Sequence, residues 1–133
     1  MAGPRDADII RRIFEAFERR DVEAVVELCA DDVELWLPVT AGLADAEGPY
    51  RGHTGVRRYF DDVERVWGSL EIGPQEFLEA GDCIVVSGTV TSRRSLTMYS
   101  SAGWLWRVRK GKVVSCHLYP NAADAMAAAS RTA

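Results

Sequence analysis

Two histidines, four tyrosines and three cysteines are the side chains here best suited to proton transfer or nucleophilic attack. His117 and Tyr119 stand two apart in the run KVVSCHLY, a spacing that puts both on one face of a strand. An imidazole that titrates near neutral pH beside a phenol is a candidate acid–base pair, which makes His117 the natural proton-transfer residue if that face looks into a pocket. His53 belongs to Gly52-His53-Thr54-Gly55, where a helix is expected to begin; Gly52 releases the turn, and His53 or Thr54 stands where a cap is needed. The positive end of a helix disfavours an imidazolium, so His53 is expected to be neutral, a contact on a pocket rim.

Cys29, Cys83 and Cys116 are widely spaced, with no CxxC and no nearby histidine pair, so neither a zinc site nor a disulfide framework is expected. Each sits among apolar residues and reads as a buried, reduced thiol. No metal-ligand spacing, Gly-rich phosphate loop or nucleophile elbow is present, and no cofactor is implied. Trp104 and Trp106 also lie two apart and share a strand face. They either fill a core between sheet and helix or form a stacking wall for a flat apolar ligand. The loop carboxylates Asp45 and Glu47 are candidates for a pocket mouth, or are simply solvated.

These residues need elements to hold them. At 133 residues the chain is read as one domain, residues 1–133, large enough to fold without metal or disulfide. Its net charge of −4 argues against a nucleic-acid partner, and Arg93-Arg94 is too short for a phosphate-binding patch. No apolar run approaches the ~18 residues of a membrane span, and MAGPRDAD carries no apolar leader region, so the expected location is the cytoplasm.

Ile9, Ile10, Ile13, Phe14 and Phe17 recur on one side of a first helix. Asp21 is placed to cap a second short helix over Val22–Leu28, ended by Asp31-Asp32. Val33 to Leu37 alternates as a strand stopped by Pro38, and residues 38–52 read as a long loop. In the third helix Val56, Tyr59, Phe60, Val63 and Trp67 face inward, with Arg57, Arg58, Asp61, Asp62, Glu64 and Arg65 mostly toward solvent. Strands are expected near 70–78, 82–93, 96–109 and 112–119, then a short helix over 122–129. Helices followed by a strand meander predict an α+β fold, with N-terminal helices packed on a curved antiparallel β-sheet and a cone-shaped pocket between them.

The passages RDVEAVVELCADDVEL and GHTGVRRYF, with an aromatic-Arg…Gly-Lys-Val hairpin running into Tyr119-Pro-Asn, resemble the nuclear transport factor 2-like superfamily, in its SnoaL-like and ketosteroid-isomerase-like branch. The resemblance covers nearly the whole chain. It implies a curved-sheet cone, usually a homodimer, whose pocket serves an isomerase, cyclase, dehydratase or hydrolase, or only binds. Where a ketosteroid isomerase relative carries its base, its tyrosine and its protonated aspartate, this chain has Leu37, Ile13 and Trp104. A leucine takes no proton and an isoleucine stabilises no enolate, so that chemistry is lost. The Asp and Arg pairs of an epoxide-hydrolase relative are also missing.

By the same alignment the pocket is lined by Ile13, Phe17, Leu35, Leu37, Phe60, Trp104, Trp106, Cys116 and Leu118. His117 and Tyr119 then fall on the outer sheet face, often the dimer interface in such proteins; a one-residue shift of register would reverse this. The expected partner is a small hydrophobic molecule, and any reaction an isomerase, cyclase or lyase step on a polyketide- or terpenoid-like substrate. The alternative is a non-catalytic dimeric domain whose cavity is filled by its own side chains.

Overall fold

The apolar stripe of the first helix dictates its packing. In the computed structural model, which describes residues 4–45, 48–68, 70–92 and 97–132, helix α1 (Pro4–Glu18) buries Ile10, Ile13, Phe14 and Phe17 against the sheet and turns its charges outward. Arg20 then takes a left-handed φ of 57°, and its guanidinium donates to the carbonyls of Phe17 (2.8 Å) and Leu70 (2.5 Å), tying the end of α1 to the sheet. Helix α2 (Val22–Leu28) is capped as expected, the Asp21 carboxylate accepting from the Ala24 amide at 3.2 Å.

Strand β1 (Cys29–Trp36) begins four residues earlier than the alternation from Val33 suggests. Asp31 and Asp32 do not end the helix; they lie within the strand, exposed, where its register against the last strand slips between Cys29 and Glu34. The expected loop over 38–52 is also interrupted. Pro38 stops the strand and, with its fixed φ, opens the short helix α3 (Pro38–Leu43); β2 (Tyr50–Arg51) follows and pairs with β1. Asp45 is exposed in between, whereas Glu47 and Arg93-Arg94 lie outside the described residues.

Helix α4 (Gly52–Trp67) leads into β3 (Leu70–Ala80), β4 (Cys83–Ser92), β5 (Thr97–Arg109) and β6 (Lys112–Tyr119), close to the predicted spans, and α5 (Ala122–Thr132) follows. The β5–β6 hairpin turns on Lys110 and Gly111, both at positive φ as a type I′ turn requires. The strands form one sheet in the order β2-β1-β6-β5-β4-β3. All its pairings are antiparallel except β1 with β6, which run parallel, so the sheet is mixed. The parallel pair is possible because nearly the whole chain intervenes between them as a crossover. Register irregularities in β3–β4 and β4–β5 curl the long strands around α1 and α4.

The two sheet faces bury different cores. The inner face joins α1, α2 and α4 in one large apolar cluster. On the outer face α5 lays Ala125, Ala128 and Ala129 on Cys83, Val85 and Leu105. Gly103 permits that approach, because a Cβ there would meet Asn121 O at 2.7 Å and Ala125 Cβ at 2.9 Å.

Candidate functional site

Where α1 and α4 cross the inner sheet face, the side chains leave a cavity of about 50 Å³. Alternation along each strand decides what faces it. Leu35 and Leu37 reach it from the end of β1, Trp104 and Trp106 from β5, and Cys116 from β6, while Ile13, Phe17 and Phe60 close it from the helices. Every predicted lining residue is therefore gathered here except Leu118, which faces an adjoining void of about 20 Å³ beside Leu37, Tyr59 and Trp104. Ile13, Leu37 and Trp104, which the resemblance led us to set against an isomerase's catalytic positions, all line the cavity as largely apolar side chains.

Phe14, Val25, Cys29, Val56, Tyr59 and Ile72 complete the wall. Phe14, Val56 and Tyr59 were visible in the helical periodicity as inward-facing. Cys29 was hidden by the misplaced start of β1. The aromatic contacts are mostly edge-on: Phe14 meets Trp104 at 5.3 Å and Trp106 at 5.6 Å between centroids, with planes at 79° and 76°.

Few cavity groups titrate usefully. Burial pushes the Cys29 thiol up to about 12, and it raises the Cys116 thiol and the Tyr59 phenol well above their ordinary values. All three stay protonated near neutral pH, so the lining offers neutral surfaces and no general base or thiolate. All three cysteines are buried and unbridged, as their settings predict.

A larger, more polar groove of about 600 Å³ lies beyond the end of α1, lined by Glu18, Arg20, Leu70, Glu71, Gly73, Thr89 and Thr91. Phe14, Phe17 and Ile72 line both spaces and form the wall between them. Arg20 stacks over Phe17 at 4.6 Å from the ring centroid, on that same wall.

The two histidines stand elsewhere. His117 pairs with Trp36 across β1–β6, and both alternate with cavity residues, so they occupy the outer face. The His117 ring stacks between Trp36 (5.8 Å, planes at 18°) and Tyr119 (4.4 Å, 19°), and burial lowers its pKa. His53 does not cap α4. That helix has Arg51 at its N-cap without a side-chain bond, and the His53 Nε2 lies 3.0 Å from the Cys29 carbonyl and 3.8 Å from Asp31. It lines a separate groove of mixed charge with Asp31, Asp32, Arg109 and Lys112, which shares Cys29 with the cavity.

Asp62 is a correction: read as solvent-facing, it is buried. Its carboxylate accepts from the Tyr50 hydroxyl at 2.8 Å and from Arg65 at 2.9 Å, with Arg58 at 3.8 Å. Asp62 follows Tyr59 by three residues and so falls beside the buried stripe, where a carboxylate survives only when paired. The partner that matters, Tyr50, comes from outside the helix. Among the described residues no group of His, Cys, Asp and Glu is arranged to hold a metal ion, and no helix is long and apolar enough to cross a membrane.

A curled sheet wrapped on a helical layer with an apolar cavity defines a cone-fold pocket protein. Residues 10–116 match the SnoaL-like domain, and the chain belongs to that family. Its structure is similar to an NTF2-like protein of unknown function from Burkholderia pseudomallei, at 28% identity and a TM-score of 0.75, over 93% of this chain and 95% of that one. It is equally similar to TerC co-crystallised with polyporic acid (28%, 0.75, 86% and 90%), and to an NTF2-like protein from Burkholderia xenovorans (25%, 0.69, 97% and 98%). No curated sequence matches the chain.

Proposed function

We propose that this protein binds a small hydrophobic molecule in the inner cavity, without a cofactor, and works as a homodimer. The observation that carries the reading is the cavity itself: two tryptophans, aliphatic side chains and neutral thiols converge on one interior space. Each apolar group a ligand covers there contributes roughly 1.5–3 kcal/mol for a large side chain. At about 50 Å³ the space is far below the ~300–1,000 Å³ of drug-sized sites, so binding requires the Phe14–Phe17–Ile72 wall to yield toward the groove. TerC, co-crystallised with polyporic acid, is a relative of similar fold that accommodates a small molecule.

Any turnover would rest on shape. Without a group to exchange protons near neutral pH, the lining suits a cyclisation or isomerisation of a polyketide- or terpenoid-like chain promoted by holding it in a reactive conformation. The dimer reading rests on the outer face, where α5 leaves Trp36, 40% exposed, beside His117 and Tyr119. The opposing reading, a domain whose cavity stays filled, is favoured by the small volume.

Tryptophan fluorescence separates the two. Saturable quenching by aromatic or steroid-like ligands at micromolar concentration, weakened by Trp104→Ala, is the expected result. Emission indifferent to the whole panel would mean a filled cavity, and unchanged affinity in Trp104→Ala would remove the stacking wall. Sedimentation is expected to show a dimer; a monomer at high concentration would contradict the interface.

A further inference from the structure

The cavity is apolar, but one of the side chains lining it carries an unanswered polar group. Trp106 is only 5% exposed, and its Nε1 is, among the described residues, the buried side-chain nitrogen or oxygen without a hydrogen-bond partner. Indole N–H only donates, and a buried donor left unpaired costs the desolvation of that group, so proteins rarely keep one. The neighbouring sites show the usual outcome: the Trp67 Nε1 donates to Thr40 Oγ1 at 3.0 Å, and the Tyr50 hydroxyl to Asp62. Trp106, alternating with Leu105 and Arg107 on β5, sits on the cavity side with Phe14 edge-on to it.

From this we infer that Trp106 is a specificity-determining residue, and that the ligand is a neutral, largely apolar molecule carrying an oxygen acceptor, a carbonyl or an ether, that receives the Trp106 N–H. The inference rests on the binding reading above and narrows it. Neutrality follows from the surroundings. Among the described residues no cationic side chain lines the cavity, and a carboxylate brought among these apolar and neutral groups would lose its hydration without a charge to answer it. A hydrocarbon without an acceptor would bury the N–H unpaired, which is how a site built around a donor rejects the analogue that lacks the acceptor.

The test uses two small probes that differ by one carbonyl, 1-indanone and indane, with the four indole N–H resonances followed by ¹H–¹⁵N NMR. Trp106→Phe identifies the Trp106 signal and keeps an aromatic ring in place. The expected result is that 1-indanone shifts the Trp106 indole proton downfield and binds the native protein about tenfold more tightly than indane. The two probes should bind Trp106→Phe alike. Equal binding of both by the native protein, or a Trp106 resonance that 1-indanone leaves in place while binding, would overturn the inference and leave the cavity reading standing. Should Trp106→Phe fold poorly, through-bond resonance assignment of the native protein identifies the Trp106 signal, and its shift still decides the matter. Binding of neither probe would bring down the open-cavity reading and this inference with it.

Discussion

Aromatic side chains occupy both faces of the sheet, in opposite manners. Inside, Phe14 stands edge-on to Trp104, Trp106 and Phe77, an interlocked cluster shut from solvent apart from the half-buried Phe77. Outside, Trp36, His117 and Tyr119 lie nearly parallel in a row across β1 and β6, with Trp36 left 40% exposed. The inner rings are gripped from several directions and leave only a small gap; the outer ones are stacked like plates and keep a free edge. The difference separates two settings: the inner cluster packs the core and shapes a cavity, and the outer row leaves an aromatic edge exposed, the face proposed above as the dimer surface.

The sharpest test of that contrast is truncation on each side. Phe14→Ala should cost about 3–5 kcal/mol by urea unfolding, because it removes the ring shared by both tryptophans. Trp36→Ala should cost less than ~1 kcal/mol in the monomer's stability, since half-exposed surface positions contribute little. Comparable losses would erase the distinction. Next in size, Gly103→Ala should destabilise by about 1–3 kcal/mol and speed amide exchange in α5, because the new methyl meets the helix backbone. Unaltered exchange in α5 would mean the outer face has room that its geometry denies.

Trp36→Ala also addresses the outer row directly. If that row is the dimer surface, the substitution should shift sedimentation from dimer toward monomer while leaving ligand quenching intact; a dimer that persists unchanged would move the interface elsewhere. The smallest effect is one of pH. Burial holds His117 below its ordinary 6.5, so the unfolded chain takes the proton more readily than the native one. Stability from this group is complete above 6.5 and declines as pH falls from there through the lowered native value. His117→Gln should flatten that part of a melting-temperature profile from about pH 5 to 8. A profile identical in both proteins would show that the stacked ring titrates as it does in the unfolded chain.

The strand meander was legible because its signals are local. Gly and Asp turns bracket alternating apolar runs, and the 112–119 strand was found at its observed bounds. The helix stripes gave the helical wall of the cavity for the same reason: Ile13, Phe17 and Phe60 face inward by periodicity alone. Apart from the local misplacement of the start of β1 and the unforeseen α3, the errors fell where a residue's role depends on a distant partner. Asp62 looked solvated until Tyr50 came to it, and His53 looked like a cap until the Cys29 carbonyl lay beside its ring. The parallel β1–β6 pair was equally invisible, since it joins the ends of the chain.

By itself, then, the sequence determined the kinds of element, their order, and the loss of the isomerase's base and tyrosine at Leu37 and Ile13, because periodicity and residue type are local properties. The tertiary structure alone decided which way His117 faces, how little space remains between the tryptophans and the helices, and that the Trp106 N–H is left without a partner. Each of these depends on the register and curl of strands far apart in the chain, where a shift of one residue exchanges inside for outside.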